Sequence, residues 1–137
     1  MPRVAAVLET CLYANDLDRC ARFYEELFGW SAMFSDGRLR AYGVAQGSVL
    51  LLFKSGATRE DVVTPEGTIP AHDGVAGGHV AFSIGEQDWQ PWLERLASHG
   101  ITVEATVRWQ RGGRSLYFRD TEGNLVELAT PGLWAVY

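Results

Sequence analysis

The 137-residue chain has little of several features that would assign it to particular protein classes. It contains only two cysteines, Cys11 and Cys20, which favours reduced thiols over the disulfide framework of a small secreted protein. No apolar run reaches the roughly 18 residues that a membrane span needs, and the first residues lack the charged-then-apolar layout of a signal peptide. The sequence therefore predicts a cytoplasmic protein without a membrane partner.

Basic charge is also scarce. One lysine and eleven arginines are scattered along the chain, and the formal net charge is −5 at pH 7. Because nucleic-acid-binding surfaces are usually basic and clustered, no nucleic-acid partner is expected. Apolar residues make up 47% of the chain and aromatic residues 12%, which is enough to build the core of one compact domain.

A first module is indicated by the order of capping and turn signals in residues 3–55. A strand-forming segment precedes a helix that has Asp16 or Asn15 as its N-cap and Gly29 at its end. Three strands follow, separated by glycine-containing turns. Residues 56–75 contain prolines and mixed charge without a clear period, and are predicted to be a linker.

The same order recurs in residues 76–130. A strand precedes a helix with Asp88 as its expected N-cap and Gly100 at its end, three more strands follow, and residues 131–137 form a tail. Two copies of a βαβββ pattern in so short a chain indicate an internal duplication. The sequence therefore predicts a single α+β domain built from two modules.

Strand alternation decides which side chains face the helices. The helix-facing positions are predicted to be apolar and are Leu8, Leu12, Ala14, Val80, Phe82, Ile84, Val126 and Leu128. Cys20 is expected on the inward stripe of the first helix and Cys11 on the opposite side of the sheet. This separation is too large for a disulfide bond.

The other face of each sheet would be bare, and two sheets paired edge to edge would form a half-closed trough. The offset of about 70 residues aligns Glu9 with His79, and alternation directs Glu9, His79 and Glu127 into that trough. A carboxylate in an apolar strand is costly unless it is paired, hydrogen-bonded or bound to a metal. These three residues are therefore predicted to hold a divalent cation, with Cys11 and Tyr13 lining the pocket.

Three stretches carry a family resemblance. "LETCLYANDLDRCARFYEELFGW", "GGHVAFSI" and "RSLYFRDTEGNLVELATP" resemble the vicinal oxygen chelate superfamily, which includes glyoxalase I, methylmalonyl-CoA epimerase, extradiol dioxygenases, fosfomycin resistance enzymes and bleomycin-binding proteins. The similarity covers nearly the whole chain. It implies two βαβββ modules in a curved, half-closed, barrel-like sheet, and a homodimer formed through open sheet edges.

The resemblance also implies a ligand set. Glu9, His79 and Glu127 fall on three of the family's ligand positions, whereas the fourth falls on Leu51, which cannot bind a metal. That departure argues against glyoxalase I activity. One histidine with two carboxylates favours harder divalent ions, and the expected cofactor is a divalent ion, Fe, Mn, Ni, Mg or Zn, of undetermined identity.

Several candidate residues have alternative interpretations. Glu9 could act as a general base instead of a ligand, and Glu127 could pair with Arg114 or Arg119. Tyr117 matches a tyrosine that reaches the pocket in fosfomycin resistance enzymes, which makes it a candidate catalytic and substrate-binding residue, or else a core aromatic.

Further pocket candidates come from the second half of the chain. Alternation places Ser115 on the same face as Tyr117. Trp109 and Trp134 would cover the trough or a dimer seam, and Arg111 and its neighbours Arg108 and Arg114 would attract an anionic substrate or form a solvated hairpin end. His72 is expected to be a solvated loop histidine, with a pocket lid as the alternative.

These features support two functions of different classes. The leading hypothesis is a metal-dependent enzyme, of dioxygenase or lyase/isomerase type, acting on a small oxygenated molecule chelated through neighbouring oxygens. The alternative is a metal-free protein that sequesters an antibiotic or natural product between its aromatic side chains.

Overall fold

The computed structural model describes all residues 1–137. The chain divides into two compact units, Met1–Ala76 and Gly77–Tyr137, and each contains one α-helix and a four-stranded sheet of mixed strand direction. The α+β class and the repeated βαβββ order are confirmed. The helices are α1 (Leu17–Phe28) and α2 (Trp89–Ser98). The strands are β1 (Glu9–Ala14), β2 (Ala32–Ser35), β3 (Leu39–Ala45), β4 (Ser48–Lys54), β5 (Val62–Thr64), β6 (Gly67–Ile69), β7 (His79–Ser83), β8 (Ala105–Arg108), β9 (Arg114–Arg119) and β10 (Leu125–Ala129).

In the first unit the strand order is β1-β4-β3-β2, with β1 parallel to β4 and the other pairs antiparallel. The α1 helix begins where predicted, because the Asp16 carboxylate accepts the Arg19 N–H at 3.1 Å. It ends at Gly29, whose φ of 73° is in the left-handed region that favours glycine. Helix α1 contacts β1 and β4.

The core of this unit follows the predicted alternation. Alternate residues of β1 and β4 and the inward stripe of α1 are buried: Leu12, Ala14, Leu50, Leu52, Leu17, Cys20, Tyr24 and Leu27. Cys11 is exposed, Cys20 is buried and neither forms a disulfide bond, as expected. The prediction for Leu8 is wrong, because it precedes β1 and is 59% exposed.

The segment predicted to be an unstructured linker contains a hairpin. Strands β5 and β6 pair antiparallel, and the turn between them is fixed by the Thr64 hydroxyl, which donates to the Gly67 carbonyl at 2.7 Å. Each strand has only three residues, which is too short to show a period in the sequence. The two ends of the segment lie side by side, since the His72 N–H donates to the Thr58 carbonyl at 2.9 Å.

The second unit repeats the topology with the order β7-β10-β9-β8, and β7 is parallel to β10. Pro91 lies in the first turn of α2, as predicted, and Gly100 follows the helix with φ 67°. The prediction of Asp88 as a side-chain cap is wrong: a 3-10 turn at Glu86–Asp88 precedes α2, and the Asp88 carboxylate instead accepts the Gln87 amide at 3.3 Å. Neither helix is both long and apolar enough to cross a bilayer.

Candidate functional site

The second unit brings together two of the three predicted ligands. His79 opens β7 and Glu127 lies in the middle of β10, where the parallel register pairs His79 with Leu125 and Ala81 with Glu127. His79 and Glu127 are therefore diagonal neighbours on one face of the sheet. Their side chains approach to 3.2 Å between His79 Nε2 and Glu127 Oε2. Glu127 is buried, with 6% of its surface exposed, whereas about half of the His79 side chain is exposed.

A backbone hydrogen bond fixes the orientation of the His79 ring. Nδ1 lies 3.0 Å from the Leu125 carbonyl oxygen, and because a carbonyl can only accept, Nδ1 carries the proton. In the neutral ring this leaves an Nε2 lone pair facing the Glu127 carboxylate oxygen. Two electron-rich atoms at this separation attract each other only when a proton or a metal cation lies between them. A ring held through Nδ1 by a carbonyl is the usual arrangement of a metal-binding histidine.

The spacing of these donors fits a divalent ion. With bonds of about 2.1 Å to nitrogen and oxygen, a 3.2 Å separation corresponds to an angle of roughly 100° at the ion. That angle lies between the values for octahedral and tetrahedral sites. One imidazole nitrogen and one carboxylate oxygen suit Mn, Fe, Ni or Zn. His79 and Glu127 are therefore close enough that both would hold one ion.

Tyr117 on β9 completes this cluster. Its hydroxyl donates to Glu127 Oε1 at 2.9 Å, so one carboxylate oxygen is held by Tyr117 while the other faces His79. Burial and then this hydrogen bond raise the pKa of Tyr117 above its usual value of 10, so the phenol keeps its proton at neutral pH. The arginines considered as alternative partners of Glu127 pair elsewhere, Arg114 with Glu86 and Arg119 with Glu104.

A buried turn that sequence analysis missed supports the start of β7. Asn124 is fully buried, and its side-chain oxygen accepts the N–H groups of Gly77 and Gly78, both at 2.8 Å. Asp120 in turn accepts the Asn124 backbone N–H at 3.0 Å and its side-chain amide at 2.9 Å. This places His79 directly after a clamped segment. The signal was present in "DTEGN", since Asp and Asn flanking a glycine favour such turns.

A cavity of about 350 Å³ adjoins Tyr117 and Glu127. The turn between β8 and β9 supplies Trp109 and Arg111 to its wall. Trp109 is fixed by its indole N–H, which donates to the hydroxyl of the buried Ser115 at 2.8 Å. The structure thus gathers three predicted pocket residues, Trp109, Ser115 and Tyr117, beside the His79–Glu127 pair, and their role in substrate binding stays a prediction.

The remaining predicted ligand lies in the first unit. Glu9 opens β1 and is exposed, as is Cys11 two residues later on the same face. Leu51 pairs with Cys11 in the register and presents only an alkyl side chain to this face. Neither unit taken by itself contains three His, Cys, Asp or Glu side chains close enough to hold a metal ion. The role of Glu9 stays a prediction.

Tyr13 makes internal contacts. Its hydroxyl is within hydrogen-bonding distance of the Thr58 hydroxyl at 2.9 Å and of His72 Nδ1 at 2.8 Å, and only 5% of the residue is exposed. The His72 ring also contacts the edge of Phe53 at a centroid distance of 5.2 Å. His72 thus lies over one end of the β1–β4 face, although the residue itself remains exposed. Substrate contact by Tyr13 stays a prediction.

Three arginines near the β8–β9 turn have different surroundings. The Arg114 guanidinium lies 4.2 Å from the centre of the Trp89 ring and pairs with Glu86, on the side of the sheet where Arg108 also lines a groove. Arg111 lines the cavity beside Tyr117 and makes no ion pair. Of the three, Arg111 alone is placed to attract a ligand of that cavity.

The chain consists of two βαβββ units, and the second unit carries a histidine–glutamate pair. Comparison with known sequences identifies the family that has this arrangement of units. A sequence model described as the glyoxalase/bleomycin resistance protein/dioxygenase superfamily matches residues 5–128. The chain belongs to this superfamily, which confirms the resemblance.

Individual relatives carry more than one activity in their names. The chain is 26% identical over 129 residues to metallothiol transferase FosB of Staphylococcus epidermidis, covering 93% of this chain and 82% of that protein. It is 28% identical over 129 residues to glutathione transferase FosA of Serratia marcescens, covering 90% and 79%. A solved lactoylglutathione lyase from Agrobacterium tumefaciens matches with a TM-score of 0.87 and 32% identity, covering 98% of this chain and 99% of that one.

Proposed function

We propose that the protein is a divalent-metal-dependent enzyme whose substrate is a small organic molecule bound through two neighbouring oxygens. The observation that carries the proposal is the 3.2 Å approach of His79 Nε2 to Glu127 Oε2, with the Nδ1 proton committed to the Leu125 carbonyl. Glu9 is the proposed third ligand. Its support is the duplicated topology, in which Glu9 and His79 each open an edge strand of their own sheet.

The side chains have separate roles in this proposal. A bound divalent ion supplies Lewis-acid chemistry, polarising substrate oxygens and stabilising negative charge that develops on them. His79 and Glu127 hold the ion, and Tyr117 orients the Glu127 carboxylate. Because its single proton is donated to Glu127, the Tyr117 oxygen would contact substrate as a hydrogen-bond acceptor at the edge of the cavity. Glu9 is the candidate general base, because a carboxylate that is released from the ion would accept a substrate proton.

The reaction belongs to one of the types that such an ion supports, a dioxygenase or a lyase/isomerase reaction. The similarity to a lactoylglutathione lyase favours the second type, whereas Leu51 at the fourth ligand position speaks against glyoxalase I activity itself. Thiol transfer, named for FosB and FosA, would use the same ion. Turnover assays with each substrate class, in the presence of Mn²⁺, Fe²⁺ or Ni²⁺, separate these reactions.

Metal binding itself is tested by purification without chelators, elemental analysis, and calorimetric titration of the metal-free protein with Mn²⁺. We expect one bound ion per chain, and loss of at least tenfold in affinity in His79→Ala. His99→Ala is a matched control, because His99 Nδ1 also lies 2.9 Å from a backbone carbonyl, that of Arg95, but faces no carboxylate. Equal Mn²⁺ affinity of the two variants would refute the site.

The alternative, sequestration of a planar compound without metal, predicts a different result. The wild-type protein would then hold no ion, and His79→Ala would bind its ligand as well as the wild type does. The two tryptophans at the cavity would matter more than the His79–Glu127 pair.

A homodimer is proposed as the assembly. Each sheet leaves open edges, β1 and β2 in the first unit and β7 and β8 in the second, and unpaired strand edges tend to pair with another chain. Light scattering coupled to gel filtration gives the mass directly, and a monomer at micromolar concentration would contradict this expectation.

A further inference from the structure

The cavity beside Tyr117 has two walls that the fold joins rigidly. One wall is the β8–β9 turn, and the other is the tail, which supplies Leu133 and Trp134. Gly113 in the turn donates its N–H to the Gly132 carbonyl in the tail at 3.2 Å. The two backbones are so close that a Cβ on Gly132 would lie 2.4 Å from the Gly113 nitrogen. The contact requires glycine, and it fixes the width of the cavity.

The tail is anchored by its last residue. The Tyr137 hydroxyl lies 2.7 Å from the Ala129 carbonyl and 3.2 Å from the Ile84 carbonyl, at the ends of β10 and β7. The backbone oxygen of Tyr137 accepts the N–H groups of Leu133 and Trp134, both at 3.1 Å. The indole of Trp134 is therefore presented from a closed, hydrogen-bonded loop although 72% of the residue is exposed. The backbone that carries this ring therefore needs little ordering when a ligand binds.

The β8–β9 turn presents a second indole, which a side-chain hydrogen bond holds in place. Trp109 is 38% exposed, and its hydrogen bond to the buried Ser115 removes its only polar group from the cavity. Two aromatic faces and Leu133 thus border a cavity of about 350 Å³, which is near the lower end of the range for small-molecule sites. Flat conjugated rings are the ligands that gain most from such surfaces.

Charge is distributed unequally in the cavity. The Glu127 carboxylate accepts the Tyr117 hydroxyl at Oε1 and faces His79 at Oε2, where the proposed ion would offset its negative charge. Arg111 also lines the cavity and makes no ion pair, in contrast to Arg114 and its partner Glu86. An acidic group on the ligand would find its only cationic partner in the cavity at Arg111.

We propose that the substrate is a flat conjugated acid of one or two rings, whose ring contacts Trp109 and Trp134 and whose acidic group pairs with Arg111. This inference rests on the proposed function, because it places the substrate's remaining oxygens toward the His79–Glu127 side. The class excludes compounds that are small, polar and saturated, fosfomycin among them, because these leave both indoles uncovered.

Calorimetric titration with four probes tests the class: 2-naphthoate, its neutral analogue 2-naphthamide, the saturated acid cyclohexanecarboxylate, and fosfomycin. Each is measured on metal-free and on Mn²⁺-titrated protein. We expect 2-naphthoate to bind about tenfold more tightly than the other three. Arg111→Gln and Trp134→Leu should each weaken 2-naphthoate binding by roughly five- to tenfold. Arg108→Gln is the matched control, because Arg108 lies outside the cavity, and should leave the affinity unchanged.

The outcomes separate this inference from the proposed function. In one outcome the protein binds Mn²⁺ but has equal affinity for the four probes, or its probe affinities do not change in Arg111→Gln and Trp134→Leu. This result would overturn the proposed class of flat conjugated acids and would still support the metal site. Absence of Mn²⁺ binding, with 2-naphthoate binding still dependent on Arg111 and Trp134, overturns the metal-dependent function and leaves the ligand class standing. Both tested side chains are substantially exposed, so their replacement is compatible with folding.

Discussion

Replacement of Tyr117 by phenylalanine tests how the buried carboxylate is held. The hydroxyl donates to Glu127 Oε1 at 2.9 Å, and Glu127 has only 6% of its surface exposed. A hydrogen bond to a charged group contributes about 1.5–3 kcal/mol, and the half-exposed phenol reduces this to about 1–2 kcal/mol of unfolding free energy. Urea unfolding of the metal-free protein measures that loss.

The same substitution should weaken metal binding. Without the Tyr117 hydroxyl, the Glu127 carboxylate must be ordered by the ion itself, and a loss of about 1.4–2.8 kcal/mol corresponds to a 10- to 100-fold higher dissociation constant for Mn²⁺. Tyr42→Phe is the matched control, because the Tyr42 hydroxyl donates to the Glu25 carboxylate at 2.8 Å in the other unit. Tyr42→Phe should lower stability without changing Mn²⁺ affinity. Wild-type Mn²⁺ affinity in Tyr117→Phe would show that the hydroxyl does not orient Glu127.

Two further predictions concern the first unit. Gly74→Ala should lower the unfolding free energy by about 1–3 kcal/mol in urea titrations, because a Cβ there would lie 2.3 Å from a ring carbon of Tyr13. Gly37→Ala, which meets no atom within 4 Å, should change stability little, and equal losses would contradict the packing. Burial and then the hydrogen bond to Glu25 raise the pKa of Tyr42 above 10, so the unfolded chain releases this proton first and stability falls as pH rises above about 10. Urea midpoints measured from about pH 9 to 11 should fall less steeply in Tyr42→Phe, and identical slopes would count against the raised pKa.

Local signals were sufficient for most of the elements. Helix α1 begins after Asp16 and ends at Gly29, as predicted. A carboxylate at the N-cap and a left-handed glycine at the C-cap stabilise the helix ends through contacts with residues nearby in the sequence. Alternation correctly separated exposed His79 from buried Val80 in the same strand, because the side-chain period of two holds wherever one face is covered. The sequence pattern therefore predicts burial and helix ends correctly where these depend on a single helix or strand.

Other features depend on partners that are distant in sequence. The β5–β6 hairpin has strands of three residues and is held by a side-chain turn, so no window of sequence contains its period. The fixed ring of His79 depends on the Leu125 carbonyl, 46 residues away, and the clamp on Gly78 depends on Asn124 at the same separation. Sequence could nominate these residues, but the pairing of β7 with β10 creates their contacts.

The two registers explain why one unit carries a ligand pair and the other does not. In the second unit His79 pairs with Leu125, and Glu127 lies two residues farther along β10. In the first unit Glu9 pairs with Val49, and Leu51 lies two residues farther along β4. The two units thus have corresponding positions, but Leu51 presents an alkyl side chain where Glu127 presents a carboxylate. A single carboxylate binds a divalent ion weakly in water, so Glu9 alone gives the first unit no metal site of its own. Because Leu51 provides no donor atom, the proposed metal site is centred on the second unit, where His79 Nε2 and Glu127 Oε2 lie 3.2 Å apart.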